Sequence, residues 1–392
     1  MIPRYAPTYT FSDLFHCLKS DQGEKLKEGL AARLSNLFQV KHVFLTESAR
    51  VGLYAILRAY NRPGRVLMPA YNCIVVPEAV HYAGYQPGFV DIDPCTLNVS
   101  PELLEKAITP DTTAVLVTHL FGIPCDLEEI LRIFKQRDIL IIEDAAPALG
   151  AEYGGKMVGR FGDASVISFQ STKVISGEAG GALLTNNDEL ANKIHGILSL
   201  AEERGNNRSL FLRAVAYKTA LNPTVYAALR HGYALLRKEL MYEVVPAALE
   251  QPEGYASRMP GYACALIQRQ LDRLGWNLCR RRKIAQIYRD QLANQTCWLL
   301  PEITGSSYPS WIQFPMICDD KLAFYKYMQS AGVDMSWTYK YSCAESFGFS
   351  DFPNTQQAAK KVVSLPTTPF LTDEQAYQIC SKALGFSPRM RY

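Results

Sequence analysis

The stretch Ser168-Phe-Gln-Ser-Thr-Lys173-Val-Ile-Ser-Gly-Glu-Ala-Gly-Gly181 sets one lysine in a short loop between an apolar run and a glycine-rich turn. A lysine among small polar residues at the mouth of a parallel sheet serves either as a phosphate ligand or as an amine that forms a Schiff base. The second role needs burial, or a neighbouring cation, to lower its proton affinity. One βαβ step earlier, Ile-Ile-Glu143-Asp144-Ala145-Ala146 ends another apolar run on two acids. A carboxylate there is costly unless a cation or a strong donor meets it. The protonated ring nitrogen of pyridoxal phosphate is one group that needs such a partner, because the ion pair keeps the ring an electron sink. The small Ala146, two residues on, would let a flat ring lie against it. Asp144 as a helix N-cap is the plain alternative, but it leaves Lys173 unaccounted for. Thr46-Glu47-Ser48-Ala49-Arg50 joins a strand to a helix, and the N–H groups and dipole at such a helix start suit a phosphate.

These residues need a frame, and the pattern between 44 and 186 supplies one. Strand-like runs at 43–46, 65–69, 88–92, 114–120, 139–144, 164–169 and 181–185 alternate with helical patterns at Ala49–Tyr60, Cys73–Gly84, Pro101–Ile108 and Leu127–Arg137. Several of the runs are apolar throughout, as parallel strands buried on both faces are. The rhythm predicts an α/β fold, a doubly wound and mostly parallel seven-stranded sheet whose ligands bind at the carboxyl ends of its strands. A large domain is expected over 1–253, with an N-terminal segment 1–40 and a helical insertion at about 200–250. The insertion reads as two helices broken at Asn222-Pro223. The second carries Val225, Ala228, Leu229, Leu235 and Leu236 with Arg230, His231, Arg237 and Lys238 among them. It suits packing on the sheet domain or on a partner subunit, with a membrane surface as the other option. A smaller α+β domain is expected over 254–392, with a long helix from Ala263 to about Leu292 whose Arg280-Arg281-Arg282-Lys283 run faces solvent. A strand at 311–318 and helices near 321–331 and 373–384 complete it.

Composition removes other classes. With 48% hydrophobic and 20% charged residues the chain has the apolar surface a folded core requires. Lys+Arg of 41 against Asp+Glu of 38 leaves +3, with no cluster dense enough for a nucleic-acid footprint. Ten scattered cysteines show no Cys-x-x-Cys pair and no zinc spacing, and read as reduced, apolar core residues. His16, His42, His81, His195 and His231 show no ligand spacing either. His119, after a strand, is either a pocket-lining residue or a hydrogen-bonded core histidine. The first residues lack a signal-peptide pattern and no stretch is apolar enough to span a membrane, so a cytoplasmic enzyme is expected.

In order and wording, these phrases resemble the DegT/DnrJ/EryC1/StrS family of pyridoxal-phosphate sugar aminotransferases, of fold type I. The likeness spans about 40–200 and 254–385. It includes Pro69-Ala70-Tyr71, Val90-Asp91-Ile92-Asp93, His119-Leu-Phe-Gly122-Ile-Pro124, Glu143-Asp144-Ala145-Ala146, Ser168-Phe169 with Lys173, and Gly177-Glu178-Ala179-Gly180-Gly181. Ser257-Arg258-Met259, Gln270–Leu274 with Arg281-Arg282, and Ser364-Leu365-Pro366 extend it. The resemblance implies that Lys173 binds the cofactor aldehyde and later moves the substrate proton. By the same likeness Asp144 pairs with the pyridine nitrogen, Ser168 bonds the phosphate, and the Ala49-Arg50 helix start gives it backbone donors. It also implies a homodimer, an amino-acid donor (glutamate or glutamine) and a nucleotide-linked keto-sugar acceptor. Aminating a cyclitol or another keto substrate, dehydration, and a non-catalytic binding protein of this fold are the other readings. The chain departs from the family pattern at four places. Ala49-Arg50 stands for Gly-Thr, Cys73 for a stacking aromatic, Pro147 for a Gln, and Ala256 for an Asn that reaches the partner subunit. Tyr339 and Tyr341 either border the substrate opening or are ordinary small-domain residues.

Overall fold

The computed structural model describes residues 1–19, 23–203, 206–222, 224–229, 244–337 and 339–387. Two helices open the chain, α1 (Phe11–Lys19) and α2 (Glu24–Phe38). Strands and helices then alternate as β1 (His42–Thr46), α3 (Ala49–Tyr60), β2 (Arg65–Pro69), α4 (Val75–Tyr82), β3 (Gln86–Val90), α5 (Pro101–Lys106), β4 (Thr112–Thr118), α6 (Leu127–Phe134) and β5 (Leu140–Asp144). After the short β6 (Glu152–Tyr153) and β7 (Lys156–Met157) come β8 (Ala164–Ser168), β9 (Gly181–Thr185) and α7 (Asp188–Ser199). The seven-stranded sheet has the order β1-β9-β8-β5-β4-β2-β3, and β9 runs against the rest.

The apolar runs form strands because both faces are covered. In β4, Ala114 and Leu116 enter a core made with α3, α4 and α7, whereas Val115 and Val117 enter one made with α2, α5 and α6. The two-residue side-chain period divides one run between two layers. The mostly parallel α/β sheet is as expected, with shifts at the edges. The run expected at 88–92 pairs as Gln86–Val90 and that at 114–120 as Thr112–Thr118. The helix expected from Cys73 spans only Val75–Tyr82, because the Cys73 N–H goes to Asn72 Oδ1 (2.7 Å) in the turn before it.

The insertion contributes α8 (Asn207–Ala220) and a helical stretch, α9, over 224–229. Asn222 Oδ1 accepts the Thr224 N–H at 3.2 Å and starts the second helix where the break was expected. Leu210 and Ala214 of α8 join the core with α1 and with α10 (Gly261–Leu271), so α8 packs on the sheet unit. Arg230, His231, Leu235, Leu236, Arg237 and Lys238 lie outside the described residues.

The helix expected from Ala263 to Leu292 is two helices, α10 and α11 (Leu274–Leu292). The break falls where opposed charges hold the chain from outside. Asp272 accepts from Arg33 (2.7 Å), and Arg273 donates to the buried Asp13 of α1 (2.6 Å). The basic run is not a solvated face. Arg281 is buried, donating to Asn277 Oδ1 (2.7 Å) and Ile312 O (3.3 Å). Arg282 donates to Gly150 O (2.7 Å) and Pro309 O (3.0 Å), and Arg280 and Lys283 pair with Asp373. A second core takes over within α11, from Ile284 to Leu292. It joins β10 (Trp298–Leu299), β12 (Phe314–Cys318), α12 (Lys321–Ser330), α13 (Pro353–Lys361), β13 (Val362–Leu365) and α14 (Asp373–Leu384). Here β10, β12 and β13 make an antiparallel three-stranded sheet, while β11 (Ser307–Tyr308) pairs with β6. All ten cysteines are free thiols, but Cys95 and Cys279 are exposed rather than core residues. No helix of the described residues is long and apolar enough to cross a membrane.

Candidate active site

The parallel strands end along one edge of the sheet, and the chemistry-bearing residues collect there. The edge holds Thr46–Ser48 after β1, Tyr71–Cys73 after β2, Thr118-His119 after β4, Asp144–Ala146 after β5 and Ser168–Lys173 after β8. Gly180-Gly181 enters β9 at the same edge. The acidic pair divides across the sheet. Glu143 faces the covered side and accepts from the N–H groups of Gly159 (2.7 Å), Phe161 (2.5 Å) and Gly162 (2.8 Å), and from His119 Nε2 (3.2 Å). His119 Nδ1 accepts the Cys125 N–H (3.1 Å), which places the ring proton on Nε2. His119 is thus a hydrogen-bonded core histidine. Burial alone would raise Glu143, but these donors hold its carboxyl below the ordinary value.

Asp144 is less well satisfied. Its Oδ1 accepts from the Ala146 N–H (3.1 Å) and its Oδ2 from Thr118 Oγ1 (3.2 Å), which itself accepts from Asn72 Nδ2 (2.9 Å). Burial pushes its carboxyl above the usual range, opposed chiefly by Lys173. Lys173, half-buried, moves the other way. Desolvation lowers its ammonium, with Asp144 and then Cys73 opposing. Lys173, Asp144 and the half-buried Cys73 are therefore within electrostatic reach of one another, and among the described residues the Asp144 carboxylate has two donors and no ion-pair contact. Asp144 does not cap a helix; Ala146 lies half-buried just beyond it.

The loop carrying Lys173 is fixed from both ends. Phe169 N–H donates to Gly180 O (2.9 Å), Lys173 N–H to Gln170 O (3.0 Å), Gly177 N–H to Phe169 O (2.7 Å) and Gly180 N–H to Glu47 O (2.7 Å). From outside, Asn277 Nδ2 donates to Val174 O (2.7 Å) and Gln270 Nε2 to Ser176 O (2.6 Å). Ser168 is buried at the end of β8.

The start of α3 meets this loop through Gly181. A Cβ at Gly181 would fall 2.4 Å from the Ala49 nitrogen, so the two backbones touch only because residue 181 has no side chain. Ser48 holds the N-cap position without capping, since its buried Oγ has no hydrogen-bond partner. Nor have the buried Nε of Arg50 and the hydroxyl of Tyr255. Among the described residues, no group of three or more His, Cys, Asp and Glu is placed to hold a metal ion.

These features fit pyridoxal phosphate. An uncapped helix start with orphaned donors suits its phosphate. An under-satisfied buried carboxylate suits its ring nitrogen, and a desolvated lysine suits its aldehyde. The sequence left several contributors unassigned. Asn72 and Thr118 orient Asp144, Asn277 holds the lysine loop, and Tyr255 faces Arg50. Asn277 had a readable signal, because it puts an amide on the apolar face that Leu274 and Leu278 of α11 mark at helical spacing. From the small unit, Tyr339 packs edge-on to Tyr71 (ring centroids 5.5 Å apart) and lies near Cys73 and Asp144, while Tyr341 Oη accepts the Ile74 N–H (3.3 Å). Both tyrosines therefore stand at the edge of this site.

Similar proteins agree with this architecture. A GDP-perosamine synthase of Escherichia coli O157:H7 is 26% identical over 406 residues, covering 98% of this chain and 98% of its own. A dTDP-3-amino-3,6-dideoxy-alpha-D-galactopyranose transaminase of Aneurinibacillus thermoaerophilus is 28% identical over 335 residues, covering 83% of this chain and 80% of its own. The crystal structure of the sugar aminotransferase CalS13 from Micromonospora echinospora superposes with a TM-score of 0.78 at 22% identity. It covers 98% of this chain and 100% of that one, a likeness of fold. Residues 12–383 match the model of a single family, and the chain belongs to it: the DegT/DnrJ/EryC1/StrS aminotransferase family.

Proposed function

We propose that the protein is a pyridoxal-phosphate-dependent aminotransferase that moves an amino group from an amino acid, glutamate or glutamine, to a keto sugar carried on a nucleotide. The observation that carries this reading is that the adjacent parallel strands β5 and β8 bring Asp144 and Lys173 to the same edge of the sheet, within electrostatic reach of each other, with the carboxylate held by only two donors. The similarity to a GDP-perosamine synthase and a dTDP-amino-sugar transaminase over most of their lengths supports the acceptor class. Bound pyridoxal phosphate supplies an aldehyde and an electron-withdrawing ring.

The chain's own residues do the rest. Lys173 Nζ, whose ammonium is destabilised by burial, would hold the cofactor through its aldehyde and, once freed from it, would move a proton to or from the substrate carbon that carries the amine. Asp144, aimed by Thr118 and Asn72, keeps the ring nitrogen charged. Ser168, the N–H groups of Ala49 and Arg50, and the Arg50 side chain hold the phosphate. Ala146 and Cys73, half-buried at the same edge, would lie against the ring. We further propose a cytoplasmic homodimer, as the family habit has it.

The test is direct. The purified protein with pyridoxal phosphate should carry a visible band that borohydride removes, and Lys173→Ala should lose the band together with amine transfer. Proton transfer of this kind is worth roughly 10²–10⁴ in rate, so a Lys173→Ala protein that still transaminates near the wild-type rate refutes the assignment. A nucleotide-linked keto sugar should be aminated faster than a free cyclitol ketone, and the reverse order would move the reading to cyclitols.

A further inference from the structure

The lysine loop contains a second buried charge that the chemistry above does not use. Glu178, five residues after Lys173, has its side chain almost wholly buried and its backbone in the left-handed region (φ +63°). A non-glycine residue there carries a backbone cost and persists only where its surroundings demand it. Its Oε1 accepts from Tyr9 Oη (2.7 Å) and Ser176 Oγ (3.2 Å). Its Oε2 accepts from Ser171 Oγ (2.8 Å) and faces Arg213 Nε (3.5 Å), and Arg213 also donates to the Glu178 carbonyl. Tyr217 and Tyr262 complete the surroundings.

Ser171 precedes Lys173 by two residues and Glu178 follows it by five, so the carboxylate closes the turn on both sides of the lysine. The outer anchors come from elsewhere. Tyr9 belongs to the N-terminal segment and Arg213 to α8 of the insertion. Among the described residues, the titratable groups within electrostatic reach of the Lys173 amine are Asp144 and the Cys73 thiol, not Glu178, so Glu178 acts on that amine through the path of the loop.

We infer that Glu178 is a positioning residue for Lys173 and that Arg213 locks it, so that the 200–250 insertion sets the reactivity of the lysine. The inference rests on Lys173 being the residue that bonds the cofactor aldehyde. The experiment mixes full-length protein with pyridoxal phosphate and follows how fast the borohydride-trappable adduct forms, in wild type, Arg213→Ala, Arg213→Lys and Glu178→Gln. Arg213 is half exposed, so Arg213→Ala should fold. Since a displacement near 1 Å can cost on the order of 10²-fold, we expect Arg213→Ala and Glu178→Gln each to slow adduct formation roughly tenfold or more. The kcat should fall while KM for the keto substrate stays within about twofold, and Arg213→Lys should restore most of the rate. Adduct formation at the wild-type rate in Arg213→Ala, or no recovery with lysine, overturns the inference. A wild-type protein that traps no adduct overturns the reading of Lys173 instead, and the inference with it.

Discussion

Asp144 and Glu143 are neighbours of one type, yet the strand's alternation sends them to opposite faces and gives them opposite fates. Glu143 meets four donors and is a structural anion; Asp144 meets two and stays strained toward protonation. An under-satisfied carboxylate at a binding site costs the empty protein stability and returns it when a cation arrives. Asp144→Asn, which removes the charge but keeps the shape, should therefore leave the cofactor-free protein as stable as wild type or more so, by about 1 kcal/mol. The same variant should lose most of the melting-temperature rise that pyridoxal phosphate gives the wild type. Thermal scans with and without the cofactor check both parts; a full rise in the variant would remove Asp144 from the site.

At the scale of elements, the break between α10 and α11 is held by Asp13. Its carboxylate accepts from Arg273 (2.6 Å), Arg269 (3.2 Å) and Thr10 (2.8 Å from N–H, 2.9 Å from Oγ1), and its side chain is almost fully buried. Burial pushes the carboxyl up, but Arg273 and Thr10 outweigh it and hold it at about 2. A folded value below the unfolded one means that the unfolded chain binds the proton more tightly. The stabilisation is complete above the ordinary aspartate value of about 4 and is lost as the pH falls toward 2, a difference of roughly 2 kcal/mol. Asp13→Asn should be destabilised by about that much at neutral pH, and the gap from wild type should shrink between about pH 4 and pH 2. Denaturant titrations across that range give the answer, and a gap independent of pH would remove the ion pairs as the cause.

For the molecule as a whole, α11 belongs to both cores. Leu274 and Leu278 pack under the large sheet, and Ile284, Ala285, Tyr288 and Leu292 pack in the second core, with the buried Arg281 between them. A continuous helix shared by two cores couples their unfolding, because neither can release its half without fraying the other. One calorimetric transition is expected rather than two. Ala285→Pro, which breaks the helix interior at a cost of about 3 kcal/mol or more, should lower that single transition for both cores. Trp298 and Trp311 lie in the second core and report on it. If their fluorescence changes well before the far-ultraviolet signal of the whole chain, the coupling is absent.

The sequence by itself determined the alternation of strands and helices and the strand ends where chemistry collects. Apolar runs flanked by turn residues have few folded forms, and the βα rhythm leaves little choice of sheet. Lys173, Asp144, Ala146 and the Ala49-Arg50 start could be picked out as candidates because each follows such a run, whereas Ser168 and Cys73 were candidates only through the resemblance to the family. Tertiary structure alone decided the rest. The sequence cannot say that Arg281 is buried, since a basic run on a helix has the same pattern whether the facing surface is water or Ile312 O. A regular helical pattern did not reveal the break at Asp272-Arg273, which is held by Asp13 and Arg33, more than two hundred residues away. Nor could local pattern place Tyr9 and Arg213 on Glu178, because hydrogen bonds between distant segments exist only once the layers have packed and brought their donors within 3 to 4 Å of one another.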